Sequence, residues 1–172
     1  MCIRDRNNIY AKNLDDSQKA NEYIFGLTQL LQYQTISQQK QFIQLDEEVA
    51  IAKNYIALEE IRLHNCEVTI EEKGDFATFK IIPLLLLPLV ENAFKYGAGL
   101  EKGQINFYFE QVDNQFNFIS KNKIIASKSQ RASTGIGLDN VQKRLNIIYP
   151  KKHTFKTAII ENTFIATLKI TL

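Results

Sequence analysis

Apolar residues recur at helical spacing along the N-terminal part of the chain. From about Asp16 to Ser37 they follow one another at intervals of three and four positions, which predicts an amphipathic helix. A second helix is predicted from about Asp46 to Leu63, and its acidic first turn suits the helix dipole. The apolar face of the first helix needs a partner. We therefore expect exposed hydrophobic surface on residues of that face, namely Ile24, Phe25, Leu27, Leu31 or their neighbours.

Alternating polar and apolar residues predict five strands further along the chain. Two pairs of them are separated by short polar segments, Asp113-Asn114 and Glu161-Asn162, which predict hairpin turns. The predicted strands are 66–72, 103–112, 114–120, 154–160 and 163–171. We expect a mixed sheet covered on one face by helices, which is an α+β two-layer sandwich.

The segment from Pro83 to Gly97 carries the most informative pattern. At about 100° per residue its apolar side chains form one stripe, and Glu91, Asn92 and Lys95 gather on the opposite side. Asparagine supplies a neutral oxygen for a hard cation such as Mg²⁺, and lysine supplies a point charge for phosphates. A solvated helix face would show the same pattern, so both interpretations stay open for this segment taken alone.

A glycine-rich turn, Gly135-Ile-Gly137, leads directly into another helix-forming segment. The apolar residues of that segment recur at helical spacing and are Leu138, Val141, Leu145 and Ile148. Free N–H groups at the start of a helix, together with its positive dipole end, form a phosphate site that glycines leave accessible. The two glycines could equally make a tight turn. The segment is neither a dinucleotide fingerprint nor a Walker loop.

Together and in this order, the two motifs resemble the N box and the second glycine box of the ATP-binding domain of sensor histidine kinases. The segments 88–97 and 135–150 are most similar in sequence to the LytS-type family, whose members control response regulators. Upstream segments follow the same family's pattern, namely 7–10, 27–33, 45–49 and 55–62. The resemblance covers residues 7 to 172.

The resemblance implies a fold, a division of the chain and a set of site residues. The fold is the Bergerat-type (GHKL) ATP-binding sandwich, preceded by helices of a dimerisation and phosphoacceptor bundle. Residues 1–6 would be a non-native start, 7–63 part of the dimerisation region and 64–172 the catalytic domain. ATP and Mg²⁺ would bind between the two motif helices. Asn92 would hold the metal, and Glu91 would be catalytic or simply pair with Lys95. The implied cofactor-binding residues are Asn92, Lys95, Tyr96, Asn122, Gly135, Gly137, Leu138, Asn140 and Arg144.

The chain departs from the family's pattern in two places. The family's phosphorylated histidine precedes the position of Asn7, where this chain has Met1 to Arg6, so we interpret the sequence as a truncated fragment with a non-native start. We expect His64 and His153 to be surface or turn residues. The Asp-x-Gly-x-Gly segment that recognises adenine is also missing. Asn122, at the expected end of a strand, could contact the base or form a turn.

Three functions remain open on this reading. The first is the catalytic portion of a sensor protein-histidine kinase, which transfers the γ-phosphate of ATP to a histidine for relay to a response regulator, expected to be of the LytTR type. It would form a homodimer through its helical region. The alternative is a non-catalytic nucleotide-binding or dimerisation module, a pseudokinase, which the missing adenine-box Asp favours. An anti-sigma-type serine kinase is the third, disfavoured by the long helical region before Leu63.

Composition and charge limit the kinds of partner that the chain can bind and the cellular compartment that it suits. With 172 residues, of which 45% are hydrophobic and 23% charged, the chain can form a packed domain with a helical appendage. Its net charge of +2 selects no nucleic-acid partner. Two cysteines, Cys2 and Cys66, suit a reducing cytosol rather than a disulfide framework. The longest apolar run, Ile81 to Val90, is too short to span a bilayer. We expect a soluble, cytoplasmic portion of a membrane sensor protein.

Overall fold

The computed structural model describes residues 17–37, 39–63, 66–97, 103–124 and 136–171. Within these residues the chain forms four α-helices, seven strands and one short 3-10 helix at Phe76–Thr78. The helices are α1 (Ser17–Ser37), α2 (Leu45–Arg62), α3 (Leu87–Gly97) and α4 (Ile136–Ile148). The strands are β1 (Ile43–Gln44), β2 (Cys66–Lys73), β3 (Lys80–Ile81), β4 (Gly103–Val112), β5 (Gln115–Lys123), β6 (His153–Ile160) and β7 (Thr163–Thr171).

Five strands form one mixed sheet in the order β2-β4-β5-β7-β6. Strand β2 lies parallel to β4, and the other neighbours are antiparallel. Both predicted hairpin turns are confirmed. Asp113 has a φ of 51° in the first turn, and Glu161 and Asn162 have φ values of 47° and 61° in the second. Positive φ at these positions matches the right-handed twist of paired strands.

Helices cover one face of this sheet, and the core lies between the two layers. Alternate residues of β4 and β5 point towards the helices, so that Phe107, Phe109, Phe116 and Phe118 are all buried. Phe94 of α3 packs on this aromatic layer, with ring centroids 5.7 Å from Phe107. The predicted α+β two-layer sandwich is therefore confirmed.

Three features differ from the sequence prediction. Strands β1 and β3 form a separate antiparallel pair that was not predicted, because two residues are too few to show a periodicity. Helix α3 begins at Leu87 rather than near Pro83, since Leu84 takes a φ of 57° that a right-handed helix cannot contain. Strand β5 continues to Lys123, where it pairs with Thr163.

Helix α1 packs on α2 along only part of its surface. Tyr23 and Leu30 are buried against Leu58 of α2, and Leu27 is partly buried with them. Other large apolar side chains of α1 face solvent, namely Ile24, Phe25, Leu31 and Ile36. The expectation of exposed hydrophobic surface on this helix is thus confirmed, apart from Leu27. None of the helices in the described ranges has the length and apolar character needed to cross a membrane.

We predict that this apolar surface makes the chain self-associate. Phe25 is 66% exposed and Leu31 is 45% exposed, so their burial in a contact between two copies is favourable. Replacing both (Phe25→Ser with Leu31→Ser) should convert an associating parent to a monomer in size-exclusion chromatography with light scattering. The variant Gln32→Ser changes an exposed polar side chain of the same helix and should leave the mass unchanged. A monomeric parent at high concentration contradicts the prediction.

Candidate functional site

Helix α3 is divided into a buried face and a polar face, as its spacing predicts. Its apolar side chains are buried, namely Leu89, Val90, Ala93 and Phe94. Glu91 and Lys95 are exposed, whereas Asn92 and Tyr96 are half-buried. The Lys95 ammonium nitrogen lies 5.2 Å from the centroid of the Tyr96 ring, within range of a cation–π attraction. The polar groups that could serve a metal and a phosphate therefore lie on the outer side of a rigidly packed helix.

The C-terminal end of α3 lies directly on Asn122 of β5. A Cβ atom added at Gly97 would lie 2.7 Å from the Asn122 Cβ, so only glycine permits this approach. Asn122 is 1% exposed, and its side-chain N–H donates to the Lys123 carbonyl at 3.3 Å. Its Oδ1 is buried and accepts no hydrogen bond among the described residues. A buried acceptor without a donor costs about 1–3 kcal/mol, so such an atom needs an explanation.

The start of α4 is exposed at Gly137. A Cβ atom added there would meet no atom of the described residues within 4 Å. Packing among these residues therefore does not require glycine at this position. Asn140 is exposed and Leu138 packs partly on the core. Gly135, which was predicted to bind the cofactor with Gly137, lies outside the described residues.

Helix α4 is fastened to the turn that precedes α3. The Arg144 guanidinium donates to the Leu84 carbonyl at 2.9 Å and to the Pro83 carbonyl at 2.6 Å. The Tyr149 hydroxyl, just beyond α4, accepts a hydrogen bond from the Ile82 N–H at 3.0 Å. The two motif helices also pack against each other. These contacts hold the two predicted halves of the site together. They give Arg144 a structural role that its sequence position did not indicate, and its contact with phosphate stays a prediction.

Glu48 of α2 is the main polar residue near the site that the sequence did not reveal. Only 1% of it is exposed, and its carboxylate accepts hydrogen bonds from the N–H groups of Leu84, Leu85 and Leu86 at 3.0, 2.7 and 2.8 Å. The Tyr33 hydroxyl of α1 donates to the same carboxylate. The acidic run that contains Glu48 was interpreted only as a favourable first helical turn, because sequence spacing gives no sign of partners so far along the chain.

Burial shifts the proton equilibria of this pair. It raises the pKa of Glu48, while the hydrogen bonds from Tyr33 and the three backbone N–H groups act in the opposite direction. Burial and the nearby Glu48 charge raise the pKa of Tyr33 far above its usual range. Tyr33 therefore keeps its proton at neutral pH and acts as a hydrogen-bond donor.

His153 is the histidine within the described ranges, and both of its ring nitrogens are hydrogen-bonded within the protein. His153 is half-buried at the start of β6, with Nδ1 2.8 Å from the Tyr149 carbonyl oxygen. Because a carbonyl only accepts, Nδ1 carries the proton, and Nε2 then accepts from the Gln142 amide at 3.2 Å. His64 lies outside the described residues. Among the described residues, no three or more His, Cys, Asp or Glu side chains gather as a metal site.

Residues 7–66 match the family model described as "Histidine kinase". The sensor protein LytS of Enterococcus faecalis is 25% identical over 171 residues. That alignment covers 91% of this chain but 28% of the relative, so the chain spans little more than a quarter of the length of that protein.

Solved histidine kinase structures share the fold. The nucleotide-free catalytic domain of ThkA is 21% identical, with a TM-score of 0.51, and the match covers 76% of this chain and 93% of that one. Acinetobacter baumannii AdeS is 17% identical, with a TM-score of 0.51 over 94% of this chain and 83% of that one. ThkA in complex with the response regulator TrrA is 18% identical, with a TM-score of 0.53 over 88% and 48%. The chain therefore has the fold of histidine kinase catalytic domains, and its sequence is similar to that of the sensor protein LytS of Enterococcus faecalis.

Proposed function

We propose that this chain is the ATP-binding catalytic portion of a two-component sensor histidine kinase, which transfers the γ-phosphate of ATP to a histidine for relay to a response regulator. The observation that carries the proposal is the buried Oδ1 of Asn122, which accepts no hydrogen bond from the described residues. It lies at the end of α3, the helix that presents Asn92 and Lys95 outwards, and α4 is fastened beside that helix. A base, a metal and a phosphate chain each have a group of matching chemistry here.

The residues fit a magnesium–nucleotide complex, which supplies the phosphoryl group when it is bound. Asn92 offers a neutral oxygen to the cation, and Lys95 offers positive charge to the phosphates. The N-terminal N–H groups of α4 would donate to phosphate oxygens at Gly137, where no side chain of the described residues lies within 4 Å of an added Cβ atom. Tyr96, Leu138 and Asn140 are proposed to contact the same nucleotide. The protein's part in such a transfer is positioning and charge stabilisation rather than covalent chemistry.

Asn122 takes the place of the acidic residue in the missing Asp-x-Gly-x-Gly segment. Its amide N–H donates to the Lys123 carbonyl, which leaves Oδ1 as the atom of this side chain that has no hydrogen bond among the described residues. The exocyclic amino group of adenine donates a hydrogen bond to such an atom. Guanine carries a carbonyl oxygen at the corresponding position, which Oδ1 would repel. A neutral amide can therefore select adenine without a carboxylate.

The wider assignments follow the relatives. Glu91 is proposed to order a water molecule or polarise the incoming imidazole from the exposed face of α3. A response regulator of the LytTR type is the proposed partner, supported in its coarse form by the ThkA complex with TrrA. A homodimer through α1 is supported by the exposed Phe25 and Leu31. The matched relative is a sensor protein, which supports a cytoplasmic portion of a membrane sensor.

The alternative is a non-catalytic module that binds nucleotide without transferring phosphate. The absence of the Asp-x-Gly-x-Gly segment favours it. Nucleotide titration establishes binding, and phosphotransfer to a helix that carries the family's histidine distinguishes a kinase from a binding module.

We predict that Asn92→Ala weakens magnesium-dependent nucleotide binding. The loss of one metal-directed oxygen should reduce affinity about tenfold, which corresponds to about 1.4 kcal/mol. Titration with a fluorescent ATP analogue, with Mg²⁺ and then with EDTA, measures the effect. The control is Asn114→Ala, at the turn that precedes the opposite end of β5. If the parent and Asn92→Ala bind the nucleotide with equal magnesium-dependent affinity, Asn92 does not hold the metal.

We predict that Asn122→Leu abolishes the preference for ATP over GTP while Asn122→Asp retains it. The leucine has no acceptor for the adenine amino group, so the affinity ratio should fall about tenfold. The free energy of unfolding in urea should change little, because the variant also removes a buried acceptor that has no partner among the described residues. The matched control is Asn117→Leu. Its Oδ1 likewise has no partner among the residues that the structure describes, but the two-residue alternation of β5 puts it on the opposite face of the sheet. An unchanged ratio in Asn122→Leu contradicts the assignment.

We predict opposite outcomes for alanine at two glycines. Gly137→Ala should leave the free energy of unfolding unchanged or raise it by up to about 1 kcal/mol, because the site is open and helical, yet it should weaken ATP-analogue binding. Gly97→Ala should destabilise the fold by about 1–3 kcal/mol, because its Cβ overlaps Asn122. Urea denaturation and nucleotide titration separate the two effects. Full nucleotide affinity in Gly137→Ala would mean that no phosphate approaches this backbone.

A further inference from the structure

The turn from Pro83 to Leu86 obtains its hydrogen bonds from side chains of other elements. Its N–H donors at Leu84, Leu85 and Leu86 all reach the Glu48 carboxylate. The carbonyls of Pro83 and Leu84 accept from Arg144. The Leu86 carbonyl accepts the first helical hydrogen bonds of α3, from Leu89 and Val90, at 3.0 Å each. The backbone that starts α3 is thus bound to α2 on one side and to α4 on the other.

The turn does not adopt this geometry on its own. Leu84 has a φ of 57°, a left-handed conformation that costs a side-chain-bearing residue about 1–2 kcal/mol. Such a conformation persists where the surrounding contacts impose it. The negative charge of Glu48 also lies at the N-terminal end of α3, where the helix dipole favours it. The direction in which α3 leaves the turn therefore depends in part on the position of this carboxylate.

The same carboxylate connects α1 to the turn. Oε1 accepts from Leu85 and Leu86, and Oε2 accepts from Leu84 and from the Tyr33 hydroxyl. Tyr33 belongs to α1, the helix with the exposed apolar face, and packs partly against the main core. A displacement of α1 that removes the tyrosine donor changes the hydrogen bonding of Oε2. That oxygen also holds the left-handed residue Leu84.

We propose that Glu48 is a positioning residue for the nucleotide site and that Tyr33 couples the position of α1 to it. The proposal rests on the proposed function, because the groups positioned are Asn92 and Lys95 on α3. These lie within three helical turns of Leu86, so a tilt of α3 at its start moves them relative to α4. By linkage, a nucleotide bound between α3 and α4 stabilises the Tyr33–Glu48 contact by the same free energy that the contact adds to nucleotide binding.

The experiment uses the whole chain and three variants. Glu48→Gln keeps the size of the side chain but removes the charge and one acceptor oxygen. Tyr33→Phe removes only the hydroxyl and leaves all three backbone N–H bonds in place. Glu47→Gln changes the neighbouring exposed carboxylate, which lies 3.6 Å from Lys40, and is the matched control. Each folded variant is measured by titration with a fluorescent ATP analogue and Mg²⁺, and by amide hydrogen exchange at Leu84–Leu86 with and without nucleotide.

We expect Glu48→Gln to weaken nucleotide binding about five- to tenfold and to speed exchange at the three amides. Tyr33→Phe should shift both readouts in the same direction by a smaller factor, and Glu47→Gln should shift neither. In the parent, nucleotide should slow exchange at these amides, a response that a purely structural role of Glu48 would not produce.

Other outcomes of this experiment contradict either this inference or the proposed function. If the parent binds nucleotide and both Glu48→Gln and Tyr33→Phe bind it equally well, this inference is wrong and the proposed function stands. If the parent binds no magnesium–nucleotide complex, the proposed function is wrong, and this inference with it. If Glu48→Gln does not fold, the inference is tested with Tyr33→Phe alone, since this variant leaves the backbone hydrogen bonds of the turn intact.

Discussion

The position of α3 on the sheet is the constraint on which the rest of the structure depends. Its buried face packs on the phenylalanines of β4 and β5, with Phe94 against Phe107, and Gly97 allows its last turn to lie directly on Asn122. Because that face of the helix is committed to the core, the remaining polar residues can only point outwards. The burial that stabilises the domain thus also presents Asn92 and Lys95 as a group.

Hydrophobic burial holds the layers together but does not orient them, since it has no directional requirement. Hydrogen bonds supply the direction. At the start of α3, Glu48 holds backbone donors and Arg144 holds backbone acceptors, and Tyr149 receives the Ile82 N–H. Three helices and one turn meet through these few side chains. Such a network in a low-dielectric interior specifies one arrangement, because each unpaired member would be costly.

The candidate site departs from good protein packing at two points. Asn122 buries an acceptor without a donor among the described residues, and Gly137 leaves a surface position without a side chain. Neither feature stabilises the unliganded fold. In the proposed function, Asn122 would serve the base of the nucleotide and Gly137 its phosphates. Positions with poor packing or an unsatisfied hydrogen-bonding group are expected where residues serve function rather than stability.

The sequence by itself predicted the elements whose signals are local. The two-residue alternation of β4, the helical stripe of α3 and the turns at Asp113 and Glu161-Asn162 depend on neighbouring residues, and the structure contains all of them. Small errors occurred where long-range contacts override the pattern. The helix α3 starts at Leu87 because Glu48 and Arg144 hold the preceding turn in another conformation.

Only the tertiary structure decided which distant groups meet. Glu48 and Leu85 are 37 positions apart, and Arg144 and Leu84 are 60 apart. The burial of Asn122 likewise depends on Gly97 of another element. Periodicity states which face of an element is apolar, but it contains no information on which oxygen will face which N–H group. The residues of the site could therefore be proposed from sequence, whereas the contacts that position them required the packed fold.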